Sequence, residues 1–151
     1  MSRQVGRVMT WQIWAVLSAV FAAATAILAK IGVEGIGADL ATFIRTLVVV
    51  AALGLLLAAT GQFRPWAGGL DQVPARSWVF LGLSGLATGA SWLCYFRALK
   101  LGDAARVAPV DKLSVVFVAV LGTVFLGERL SAVNWAGVAL IAAGAVLVAL
   151  R

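Results

Sequence analysis

The sequence contains no histidine and only one cysteine, Cys94, among its 151 residues. Its acidic residues number only six, so few side chains could ligate a metal ion or form a nucleophile–base pair. A lone cysteine also excludes an intramolecular disulfide. We therefore expect a protein that is not an enzyme and that needs neither a metal nor another cofactor.

Charged residues are scarce as well, at 12% of the chain, whereas 63% of the residues are hydrophobic. A soluble domain carries about 25% charged residues, so this chain has too little polar surface to stay in solution. The net charge of +6 would suggest nucleic acid in a soluble protein, but the basic residues are scattered among loops and helix ends. The composition predicts that the partner of this chain is the lipid bilayer and that the chain does not bind nucleic acid.

Five apolar stretches approach the roughly 20 residues that a helix needs to cross the hydrocarbon. They predict an all-α integral membrane domain over residues 1–151, with helices at about residues 9–31, 40–60, 77–98, 104–126 and 131–150. The first stretch resembles a signal peptide, but its length and the four spans after it predict a retained helix. Gly102 and Asp103 predict a tight hairpin, and Pro109 should bend the fourth helix.

The basic residues give little preference for either orientation in the membrane. One face would receive Arg3, Arg7, Arg64, Arg76 and Arg129, and the other Lys30, Arg97, Lys100, Arg106 and Arg151. Because cytoplasmic loops normally hold the excess of Lys and Arg, this balance predicts insertion in both orientations. We expect an antiparallel homodimer; a parallel dimer and a pair with another chain remain open.

Four ionisable residues fall inside or at the edge of the spans, where charges are costly and usually serve a function. They are Lys30, Arg45, Asp111 and Lys112. Arg45 should lie about 6–10 Å inside, counting 1.5 Å per helical residue. Adjacent helical residues point about 100° apart, so Asp111 and Lys112 should each need another partner, which suggests pairing of Arg45 with Asp111. The lysines could instead reach the headgroups.

The third helix carries one polar and aromatic face on an otherwise apolar span. Its residues stand at helical spacings of three, four and seven: Thr88, Ser91, Trp92 and Tyr95. A cavity lined by this face would bind a small, partly apolar molecule. Hydrogen bonding between helices by Thr88 and Ser91 is the alternative.

Several segments resemble a single EamA domain of the drug/metabolite transporter superfamily. They are residues 90–99, 102–104, 107–113 and 125–130, and residues 29–32 and 43–46 look like the same family's first two helices. Members usually carry two such domains, inverted relative to each other, and move metabolites, amino acids or drugs across the cytoplasmic membrane. The resemblance implies a five-helix half-transporter that must pair, over about residues 9–150.

These patterns together predict a secondary transporter, working by alternating access as a dimer and exporting a small anionic or zwitterionic metabolite or drug. The expected substrate-binding residues are Lys30, Arg45, Thr88, Ser91, Trp92, Tyr95, Asp111 and Lys112. An ion channel and a non-transporting subunit of a heteromer are the alternatives. A cation/proton multidrug exporter is a further one, although the first helix lacks the carboxylate that such relatives use.

Overall fold

The computed structural model describes the backbone of residues 2–61 and 73–150 and the side chains of residues 11–61 and 73–150. Within these residues six helices follow one another: α1 (Ser2–Val33), α2 (Ala38–Ala59), α3 (Ala75–Leu101), α4 (Ala104–Asp111), α5 (Ser114–Phe125) and α6 (Ala132–Ala149). The basic residues Arg3, Arg7, Arg64 and Arg151, which enter the charge balance, lie outside the described side chains.

In the described part of the chain, the helices make five segments long and apolar enough to cross a membrane, with α4 and α5 forming one segment together. The predicted all-α membrane fold with five spans is thereby confirmed. Most large apolar side chains on the helices are exposed, which suits a protein whose surface is covered by lipid rather than water.

The chain divides into two compact units. One contains Met1–Ile31 and Leu101–Arg151, and the other contains Gly32–Lys100. We refer to the second as the α2–α3 unit, because it holds α2 and nearly all of α3.

The fourth span is broken next to Pro109, as its position predicted. Around the break, Lys112 N–H donates to the Pro109 carbonyl at 3.1 Å and Leu113 N–H donates to the Val110 carbonyl at 3.0 Å. Both hydrogen bonds link residues three apart, the tighter 3₁₀ pattern that often marks a hinge within a helix. Pro109 has no N–H to donate to the Ala105 carbonyl, so the regular ladder is already interrupted within α4, which ends at Asp111.

The helix ends follow from a few local signals. Pro74 immediately precedes α3, and its carbonyl accepts hydrogen bonds from Ser77 and Trp78, so this helix starts two residues before the predicted position. Asp103 occupies the N-cap position of α4, as predicted, although its side chain caps no backbone N–H. The Ser131 hydroxyl accepts a hydrogen bond from Asn134 N–H and caps α6.

Gly127 closes α5 in the left-handed region, with φ of +67°. Replacing it with Ala is expected to destabilise the protein by about 1–2 kcal/mol, because a Cβ is strained at positive φ. Gly54→Ala is the matched control, since Gly54 lies within α2 and a Cβ added there would meet open space. Thermal unfolding of the two purified variants measures the difference; equal unfolding temperatures would contradict the assigned turn.

Candidate functional site

In the α2–α3 unit, the beginning of α2 and the end of α3 are joined by two polar contacts. The Arg97 guanidinium binds both carboxylate oxygens of Asp39, through Nε at 3.0 Å and a terminal nitrogen at 2.9 Å. The Lys100 ammonium donates to the Ile36 carbonyl at 2.8 Å. These contacts run in antiparallel order along the two helices and set their register.

Arg45 continues the same register one and a half turns further along α2. Its guanidinium carbon lies 4.1 Å from the centroid of the Trp92 ring and 5.5 Å from that of Phe96. Both distances are within the range of a cation–π interaction. The half-buried Arg45 therefore lies against two aromatic side chains, Trp92 and Phe96, from one face of α3.

The predicted polar face of α3 is only partly engaged within this unit. Trp92 and Tyr95 are half-buried beside Arg45, whereas Thr88 and Ser91 are exposed. The Thr88 hydroxyl donates to the Ser84 carbonyl of its own helix at 2.8 Å. Thr88 thus satisfies its donor locally, as hydroxyls commonly do within membrane helices.

Lys30 lies in the other unit, where it joins the end of α1 to the turn between α3 and α4. Its ammonium donates at 3.1 Å to the carbonyl of Gly102, in the turn between α3 and α4. The end of α1 is thereby tied to that turn by a half-buried contact. Lys30 has a structural partner here, and its part in substrate binding stays a prediction.

Asp111 and Lys112 form an ion pair with each other, with 3.1 Å between the carboxylate and the ammonium. The expectation that each would need another partner is wrong. It assumed a continuous helix, whereas α4 ends at Asp111 and the chain turns through Lys112 before α5 begins. The suggested pairing of Arg45 with Asp111 would join the two units and stays a prediction.

Sequence reasoning missed three residues of the α2–α3 unit: Phe96, Asp39 and Arg97. Phe96 stands one helical turn after Trp92, so the spacing of the aromatic face could have indicated it. Arg97 was counted only in the balance of basic residues, and its pairing with Asp39 joins positions 58 residues apart in the chain. No local pattern in the sequence signals such a contact.

Residues 9–150 match the EamA-like transporter family. The chain belongs to this family. A relative from a Sinorhizobium species, described as an uncharacterized transporter in the cobO 3' region, is 61% identical over 140 residues. The alignment covers 93% of this chain and 96% of the relative. No solved structure matches the chain significantly.

Family membership confirms the resemblance found in the sequence and establishes a multi-pass membrane transporter. The match covers almost the whole chain with one domain, and the relative has nearly the same extent. The family match and the relative's description as a transporter point to transport rather than catalysis.

Proposed function

We propose that this EamA-family protein is a secondary transporter that exports a small anionic or zwitterionic metabolite or drug across the cytoplasmic membrane. The observation that supports the charge of the substrate is the environment of Arg45. This guanidinium sits within a membrane span, stacks on Trp92, and forms no ion pair with any described carboxylate of its own unit.

Four other basic groups near helix ends already have polar partners. Arg97 binds Asp39, Lys100 and Lys30 donate to backbone carbonyls, and Lys112 binds Asp111. Arg45 instead has aromatic rings, which attract a cation without neutralising its charge. An uncompensated charge in a membrane span is costly, so an anionic group on the substrate would be bound favourably there.

The aromatic stack also orients the guanidinium. A planar guanidinium over an aromatic ring leaves its N–H edges available for a carboxylate or phosphate, which it can bind through two parallel hydrogen bonds. Trp92 would then hold Arg45 in position, and Tyr95 would contact the substrate. Lys30, Thr88, Ser91, Asp111 and Lys112 stay predicted substrate contacts.

A ligand panel on the purified wild-type protein tests the charge of the substrate. Succinate, inorganic phosphate and benzoate represent anions, leucine and glutamate represent amino acids, and tetraphenylphosphonium represents an apolar cation. We expect thermal stabilisation by at least one anion or amino acid and none by tetraphenylphosphonium. Stabilisation by tetraphenylphosphonium alone would contradict the proposal and favour a cation exporter.

In related members, which carry two domains, alternating access uses more than five helices. We therefore propose that two copies of this chain pair in inverted orientations. The balanced basic residues and the odd number of spans support this arrangement. In such a pair, the equivalent ends of the two copies face opposite sides of the membrane. Each copy would contribute one Arg45 to the transporter.

A further inference from the structure

The two ends of the α2–α3 unit differ in how well they are packed. We define the closed end as residues 36–45 together with residues 92–100. Phe96 and Leu99 are 3% and 0% exposed here. Towards the other end, Leu55 of α2 and Leu86 of α3 are 72% and 74% exposed. Among the described residues of this unit, the buried side chains therefore lie at one end of the helix pair.

Within the closed end, the polar and aromatic contacts follow a fixed order. The Lys100–Ile36 hydrogen bond lies nearest the end, the Asp39–Arg97 ion pair follows, and the Arg45–Trp92 contact lies deeper. Six residues separate Asp39 from Arg45 along α2, which corresponds to about 9 Å of helix. Along the helix pair, the ion pair therefore lies between Arg45 and this end.

We propose that the Asp39–Arg97 ion pair is a gate, which keeps the closed end shut in this conformation and opens during the transport cycle. This inference rests on the proposed alternating-access transport. Opening the end by separating α2 from α3 breaks both hydrogen bonds of the pair, and closing it restores them. The pair therefore stabilises one conformation over the other, as a device that biases a two-state equilibrium must do.

The exposure of the pair suits this role. The side chains of Arg97 and Asp39 are 60% and 62% exposed, so water screens their attraction. A weak interaction favours the closed conformation without locking it. For ion pairs of this kind, loss of one partner changes a conformational equilibrium by about 1.5- to 5-fold.

Thr42 offers a reporter position for the closed end. It lies between Asp39 and Arg45 on α2 and is only 5% exposed. With Cys94→Ser removing the native cysteine, Thr42→Cys introduces a single thiol that a water-soluble maleimide reaches when the closed end opens. Ser84→Cys, at an exposed position of α3 beyond the closed end, is the matched reporter. Nanodiscs expose both membrane faces, so labelling does not depend on orientation.

Each reporter is combined with Asp39→Asn, with Arg97→Gln, and with the exchanged pair Asp39→Arg/Arg97→Asp. We expect both single substitutions to raise the labelling rate at position 42 about 1.5- to 5-fold and the exchange to return it towards the starting rate. Labelling at position 84 should fall or stay constant. Size-exclusion profiles identify any variant that misfolds, and the remaining single substitution then carries the test.

Unchanged labelling at position 42 in the single variants would overturn the gate. A rise that the exchanged pair does not reverse would also overturn it, because the effect would then be loss of packing rather than of the ion pair. The ligand panel is independent of both outcomes. If the labelling contradicts the gate, the proposed anion binding at Arg45 is unaffected. If the ligand panel contradicts anion binding, the labelling result still stands.

Discussion

Replacing Arg45 with Gln is expected to weaken binding of the anion or amino acid that stabilises the wild-type protein by about 10- to 150-fold. The estimate corresponds to the roughly 1.5–3 kcal/mol of a hydrogen bond to a charged group. Gln keeps a polar side chain of similar length but has neither the positive charge nor the guanidinium fork. Binding titrations of the wild type and the variant, by calorimetry or thermal shift, measure the loss.

Arg76→Gln is the matched control for this substitution. Arg76 is also an arginine near an aromatic ring, with its guanidinium carbon 5.6 Å from the Phe80 centroid, but it lies exposed at the beginning of α3. Its loss should leave affinity unchanged. Arg45→Lys should bind with intermediate affinity, because it keeps the charge and loses the fork. Wild-type affinity in Arg45→Gln would refute the assignment of Arg45 as the anion-binding residue.

Asp111→Asn is expected to slow transport at least tenfold while changing ligand affinity only a few-fold. The substitution removes the ion-pair partner of Lys112 at the helix break. Each transport cycle would then move an uncompensated ammonium, which costs up to about 2.5–3.5 kcal/mol at the bilayer centre and less near its edge. Flux into proteoliposomes, together with binding titration, separates the slower turnover from lost affinity.

The double variant Asp111→Asn/Lys112→Gln distinguishes charge balance from loss of structure at the break. Removing both charges leaves no unpaired ammonium, so flux should recover relative to Asp111→Asn alone, although affinity for the anion should decrease. Flux as low in the double variant as in the single one would show that Asp111 acts through something other than pairing with Lys112. Wild-type flux in Asp111→Asn would remove this carboxylate from the mechanism.

Hydropathy and local signals were sufficient to predict most of the fold. Span length in lipid limits where helices can begin and end, and Pro109 marked the break in the fourth span because it lacks a backbone N–H. The least accurate prediction concerned Asp111 and Lys112. Their pairing depends on how the chain turns after α4, which the assumption of a continuous helix concealed.

The candidate site was less predictable from the sequence than the spans. Arg45 could be selected, because a charge inside a span is rare, and Trp92 could be selected from its position on the polar face. Their stacking, and the ion pair of Asp39 with Arg97, join residues more than forty positions apart in the chain. Such contacts depend on the register of two packed helices, which neither hydropathy nor spacing along one helix specifies.

The central claim is that the chain is half of a transporter whose other half is a second, inverted copy. The orientation of the C-terminus tests it most directly, using fusions after Arg151 to alkaline phosphatase, active only outside the cytoplasm, and to green fluorescent protein, fluorescent only inside. An inverted pair predicts substantial signal from both fusions at comparable expression. Signal from one fusion alone would contradict the inverted pair and leave a parallel dimer or a different partner chain.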